Sequence, residues 1–186
     1  MKRIVLLGMC LFVLLEAAFG TDVSSLLYLK TSVLPLNTLS FYPVADESST
    51  YADDTLWMGD GTDNGNSATT YLVAKTNAST QMQLEVTLPA MVWVDDDSNA
   101  LAQGSTLAYT TKITLYSPTD SDDVTIEPDV SALSNSTSAK KFGTITGAHG
   151  AQKGIYQFDF TVSEDDYWAA FQGAYAATVS VTLSTD

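Results

Sequence analysis

The chain has 186 residues, with 22 acids against eight basic residues, a formal net charge of −14 and one cysteine. A surface this acidic repels phosphate backbones and anionic headgroups, so nucleic acid and membrane surfaces are disfavoured as partners. With Cys10 alone, no intrachain disulfide and no cysteine-built metal site can form.

The first twenty residues read as an export signal. Lys2 and Arg3 give a positive start, Ile4 to Leu15 is an apolar run, and Ala18-Phe19-Gly20 places small residues at −3 and −1 of a cleavage site. The run is shorter than the ~20 apolar residues that span a bilayer. Residues 1–20 are therefore expected to be a cleaved signal peptide and residues 21–186 a single secreted domain, with no membrane insertion of the mature chain. Cys10 leaves with the signal, so the core alone must hold the fold. Six lysines against 21 acids remain, a net charge of −15. That charge suits solubility, cations or a basic partner.

In chain order, Asp22 to Val33 alternates and predicts a first strand. Pro35 ends it, and Leu36 to Val44 predicts a second. Ala45 to Ser67 is rich in Asp, Gly, Ser, Thr and Asn and reads as a long loop pinned to the body at Trp57 and Met58. Thr69 to Lys75 predicts a strand with Tyr71 and Val73 on one face. Gln81 to Leu88 alternates cleanly, with Met82, Leu84, Val86 and Leu88 inward. Met91 to Val94 is a short strand before three aspartates. Thr106 to Tyr116 reads as one strand with Leu107, Tyr109, Ile113 and Leu115 on one face. Val124 to Glu127 is a short strand, Asp129 to Ser138 a loop or helical turn, and Lys141 to Thr146 a further strand. Gly154 to Val162 places Tyr156, Phe158, Phe160 and Val162 on one face. A corner over Asp165 to Gly173 then feeds a last strand, in which Tyr175, Ala177, Val179, Val181 and Leu183 point inward. These nine or ten strands, with no helix beyond a turn, predict an all-β fold, a single Ig-like antiparallel sandwich.

Several stretches could carry chemistry. In Asp60-Gly61-Thr62-Asp63-Asn64-Gly65-Asn66, oxygen ligands alternate with glycine as calcium loops require. The position that should bring a bidentate glutamate is Tyr71, and a plain polar turn uses the same residues. Asp95-Asp96-Asp97, Asp120 to Asp123 and Glu164-Asp165-Asp166 are acidic clusters that read as solvated strand ends guarding against edge pairing. His149, the only histidine, lies in a glycine turn, and no G-x-S-x-G nucleophile motif occurs. A glycosidase needs only two carboxylates, but nothing singles out a pair. Trp57, Trp93 and Trp168 are expected to plug the ends of the core, the alternative being to stack on sugar rings. Asn77-Ala78-Ser79 and Asn135-Ser136-Thr137 are glycosylation sequons.

Gly173-Ala174-Tyr175 followed by alternating Val and Thr to Leu183 resembles the closing strand of bacterial secreted, pilin-like Ig-type sandwiches, the spore-coat and fimbrial subunit group. The signal peptide, alternating strand, proline and second strand are similar in layout. The resemblance is concentrated in residues 163–184 and implies a cell-surface or periplasmic structural subunit. The chain departs from the assembled fimbrial subunits in lacking their disulfide and in ending Leu-Ser-Thr-Asp. Independently of the resemblance, Tyr175 suits a tyrosine corner, its hydroxyl tied back to upstream backbone.

The expectation is a non-catalytic structural or interaction protein, secreted to the periplasm, cell surface or medium. It needs no cofactor and has a protein partner or itself as ligand. Strand addition with Asp22 to Val33 as donor is one route to assembly. The alternative is a carbohydrate- or calcium-binding module that uses the Ala45–Ser67 loop, with a small glycosidase more remote.

Overall fold

The computed structural model describes residues 36–53, 55–58, 66–95, 106–118, 124–146 and 152–185. The expected signal peptide and the expected strand Asp22 to Val33 lie outside the described residues. Twelve strands and one short helix occur among those described, where nine or ten strands were expected: β1 Asn37–Tyr42, β2 Asn66–Thr76, β3 Met82–Leu88, β4 Met91–Val94, β5 Thr106–Leu107, β6 Thr110–Pro118, β7 Val124–Ile126, β8 Leu133–Ser134, β9 Ser136–Ile145, β10 Gln152–Val162, α1 Glu164–Ala169, β11 Ala174–Ala176 and β12 Ser180–Thr185. Every pairing is antiparallel. The fold is all-β, in three sheets: β1-β2-β10-β6-β8, β12-β3-β9-β7, and a small one, β11-β4-β5.

The two large sheets share one core. Leu72, Ala74, Ile113, Tyr156, Phe158, Phe160 and Val162 come from the first; Leu84, Val86, Leu88, Val124, Phe142 and Ile145 come from the second. Aromatic rings bridge the sheets directly: Phe142 meets Tyr156 edge-on at 5.2 Å and Phe158 at 5.4 Å. Such edge-to-face contacts add to what burial alone contributes. The alternation in β3 and β10 places its residues as the sequence predicts. Met82, Leu84, Val86 and Leu88 are buried, as are Tyr156, Phe158, Phe160 and Val162.

Elsewhere alternation misleads. In β2 Tyr71 and Val73 share a face as predicted, but the core face is the opposite one, Leu72 and Ala74. Leu72-Val73-Ala74 is buried on both sides, and a continuous apolar run gives period two no purchase. Val73 lies opposite Ile155 on the outer face, where Tyr71 meets Tyr116 edge-on at 5.1 Å. The predicted strand Thr106 to Tyr116 is two strands: β5 pairs with β4 in the small sheet, and the chain then crosses to the first large sheet as β6. β2 begins at Asn66, within the predicted loop, and the Asp129–Ser138 segment contains β8 and the start of β9.

Three register shifts interrupt the ladders of the large sheets, one of them between Val86 and Leu88 against β9, and the other two are single-residue bulges. Opposite Ile155 and Tyr156, β6 carries Tyr116 as an extra residue, 53% exposed. Opposite Leu84 and Glu85, β9 carries Phe142 as the extra residue, and it turns fully into the core. The next residue must be glycine for lack of room: a Cβ on Gly143 would stand 2.6 Å from the Thr125 carbonyl oxygen of β7. Tyr156 closes the same corner by donating its hydroxyl to that carbonyl at 3.3 Å, and burial raises its phenol pKa.

Candidate interaction surfaces

The C-terminal segment differs most from its expected form. The corner contains α1. Ser163 caps it by accepting the Asp166 amide at 3.1 Å and donating its hydroxyl to the Asp166 carboxylate at 2.6 Å. Glu164, Asp165 and Asp166 fill the first turn, where negative charge is favoured. Ser163-x-x-Asp166 is legible in the sequence as a helix start. Tyr167 and Ala170 lean on the core, while Trp168 is 72% and Phe171 64% exposed.

Beyond the corner, the expected single strand is two. Ala174–Ala176 pairs with β4 in the small sheet; Ser180–Thr185 pairs with β3 in a large one. Tyr175, Val179, Val181 and Leu183 pack on the core. Ala177, expected inward, is exposed, because the chain leaves one sheet there and has not joined the next. The Tyr175 hydroxyl does tie back to upstream backbone, donating to the Phe171 carbonyl at 3.1 Å. Tyr175 stands opposite Trp93 on one face of the small sheet. The Trp93 indole lies against Gly173, where a Cβ would fall 2.0 Å from Nε1, and its ring meets Phe171 at 6.3 Å. Backbone and ring thus fix Phe171 from two sides.

β1 and β12 border a second surface. Each is the last strand of its sheet, and neither has a partner on its outer side among the described residues. Between them runs a groove of about 560 Å³, lined by Leu39, Phe41, Leu72, Val179 and Val181, with Tyr51 at its rim. Tyr51 is held by a hydroxyl bond to Thr70 Oγ1 at 2.8 Å, and Thr70 bonds on to the Tyr42 carbonyl at 3.0 Å.

The loop between β1 and Tyr51 is clamped to the outer face of the first large sheet. Glu47, at φ 60°, occupies the left-handed region that non-glycine residues seldom adopt. Its carboxylate accepts from Lys75 Nζ at 2.6 Å and, on its other oxygen, from Lys153 Nζ. These two residues are opposite one another on β2 and β10. The bond from Lys153, then that from Lys75, holds the Glu47 carboxyl below the usual carboxylate range against the opposing effect of burial. Glu47 in turn raises the Lys75 pKa.

The other sequence candidates divide. Asp60 to Gly65 of the calcium-like loop, His149, Asp96, Asp97 and Asp120 to Asp123 lie outside the described residues. No group of three or more His, Cys, Asp or Glu among the described residues could hold a metal. Trp57 and Trp168, expected to plug the core, are 74% and 72% exposed; Met58 pins the loop as expected, with Leu56 in the place of Trp57. Trp93 is half-buried. Both sequon asparagines have structural work: Asn77 Oδ1 accepts the Leu36 amide at 2.6 Å and Asn135 Oδ1 accepts the Tyr109 amide at 2.8 Å.

No helix among the described residues is long and apolar enough to cross a membrane. No protein-family model matches the chain, and no curated protein matches its sequence.

Proposed function

We propose that this is a non-catalytic, secreted structural or interaction subunit of the cell surface or periplasm, built on an Ig-like sandwich, that associates by strand addition with copies of itself or with a protein partner. One observation carries the reading: β1 and β12 are unguarded edges on either side of a groove in which Leu39, Phe41, Val179 and Val181 lie among serine and threonine side chains. Proteins that stay apart blunt their edges with lysine, proline or inward charge. β1 reads Asn-Thr-Leu-Ser-Phe-Tyr and β12 reads Ser-Val-Thr-Leu-Ser-Thr, with no charge and no proline in either. In a chain this acidic, two neutral edges side by side favour an added strand, which would satisfy edge amides and carbonyls and bury apolar side chains. Asp22 to Val33, of the same chain or a neighbour, has the alternation such a strand needs. The tie from the Tyr175 hydroxyl to the Phe171 carbonyl is the kind of corner an Ig-like sandwich uses.

The test is sedimentation of the mature chain over a hundredfold concentration range. Concentration-dependent oligomers are expected, and Thr182→Lys should dissolve them. Thr182 faces out opposite Glu85, so the lysine gains a cross-strand partner and the domain keeps its fold. A chain that stays monomeric throughout, or oligomers indifferent to Thr182→Lys, would remove the proposal.

A further inference from the structure

Three of the most exposed large apolar side chains among the described residues are Trp57, Trp168 and Phe171, and two of these fall within four residues of each other. Solitary exposed apolar residues are ordinary, but two large exposed aromatic rings three residues apart on a braced segment are not. Here the frame is explicit. Tyr167 and Ala170 anchor the α1 segment to the core, Tyr175 holds the Phe171 carbonyl, and Trp93 supports the Phe171 ring. Tyr167 meets the Trp168 indole edge-on at 5.3 Å. The segment that carries the rings is thus tied to the body on both sides, which lowers the ordering cost of binding there.

Their surroundings select the partner. Glu164 and Asp165 precede Trp168 by four and three residues, the spacing that sets side chains on one face of a helix. Both are exposed, and neither forms an ion pair with a lysine among the described residues, where the pairs go to Glu47, Glu127 and Asp129. The last turn of α1 holds no basic residue. An indole beside uncompensated carboxylates is a receptor for a guanidinium or ammonium group: the ring face attracts the cation and the carboxylates neutralise it.

We propose that the Trp168–Phe171 face, supported by Trp93 and flanked by Glu164 and Asp165, docks an arginine- and lysine-rich segment of a partner protein. It shares no residue with the β1–β12 groove, and it operates whether or not the chain self-associates.

The probe is an acetylated nine-residue peptide of alternating Arg and Gly, titrated into the mature chain at 50 and 150 mM salt by calorimetry. Saturable binding is expected, weakened roughly two- to fivefold by Trp168→Ala, the range of an exposed cation–π contact. Glu164→Gln should weaken it comparably, and Asp53→Asn, an exposed acid elsewhere, by less than twofold. All three positions are exposed, and unchanged melting temperatures verify the fold. Equal losses from Asp53→Asn and Glu164→Gln would reduce the effect to diffuse attraction and overturn the proposal. Indifference to Trp168→Ala, or no binding at 50 mM salt, would also overturn it. So would binding of neutral oligosaccharides that Trp168→Ala abolishes while peptide binding is untouched. Thr182→Lys should leave peptide affinity unchanged, which separates this result from the fate of the assembly proposal.

Discussion

β10 and the segment that follows it are written in the same pattern and behave differently. Both alternate strictly. β10 runs unbroken from Gln152 to Val162 with neighbours on both sides, β2 and β6, over most of its length. The later segment breaks into β11 and β12, which belong to different sheets and are each a terminal strand. Its inward side chains are only partly buried, while those of β10 are almost wholly so. Alternation therefore reports which side chains share a face, but not how many strands share the backbone. A strand flanked on both sides is held by two ladders and two facing layers; an edge strand is held by one and can be traded between sheets.

Substitutions can break this comparison. The largest effect belongs in the middle of β10. Phe158 is fully buried and its ring meets Phe41, Phe142 and Phe160. Phe158→Ala should lower unfolding stability by ~3–5 kcal/mol, enough to unfold a marginal domain, as read by urea titration. A loss below ~1 kcal/mol would mean that the two large sheets do not depend on these rings.

A smaller effect tests the outer face of the same strand. The Glu47 clamp on Lys153 and Lys75 should be worth ~1 kcal/mol, the upper end for a partly exposed ion pair. Because the folded Glu47 carboxyl titrates below its ordinary value of 4.5, the contribution is present above that pH and fades as pH falls through the lower folded value. Glu47→Gln should therefore cost stability at pH 7 and flatten the acid limb of the stability curve below pH 4.5. An unchanged acid limb would show that other carboxylates govern it.

The smallest effect lies in the segment that switches sheets. Tyr175→Phe removes one hydroxyl bond to the Phe171 carbonyl, at a cost of ~0.5–1.5 kcal/mol. Its signature should be local: faster amide exchange over residues 171–176 with β10 unaltered. Uniform loss of protection across both would erase the distinction between edge and centre.

The candidate surfaces were legible only in fragments. The Ser163–Asp166 cap is a sequence signal that a short helix answers. The tie from Tyr175 follows from a tyrosine placed just after a corner. The exposure of Trp168 and Phe171 has no such signal, because an apolar residue carries no mark of which neighbours will cover it. The β1–β12 groove is likewise invisible in one dimension, since its walls lie more than 130 residues apart. The Glu47 clamp joins three residues from a loop and two strands, and only the register of β2 on β10 brings Lys75 beside Lys153.

By itself the sequence determined the β character of the chain and the inward faces of β3 and β10, because a period of two is a local consequence of the pleat. It also set the acidic charge and the lack of any intrachain disulfide. Tertiary structure alone decided which strands are edges, where β5 yields to β6 and β11 to β12, which face of β2 is inward, and which aromatic rings meet solvent. Each of these depends on what a distant segment places alongside, and backbone hydrogen bonds between strands carry no trace in the residues they join.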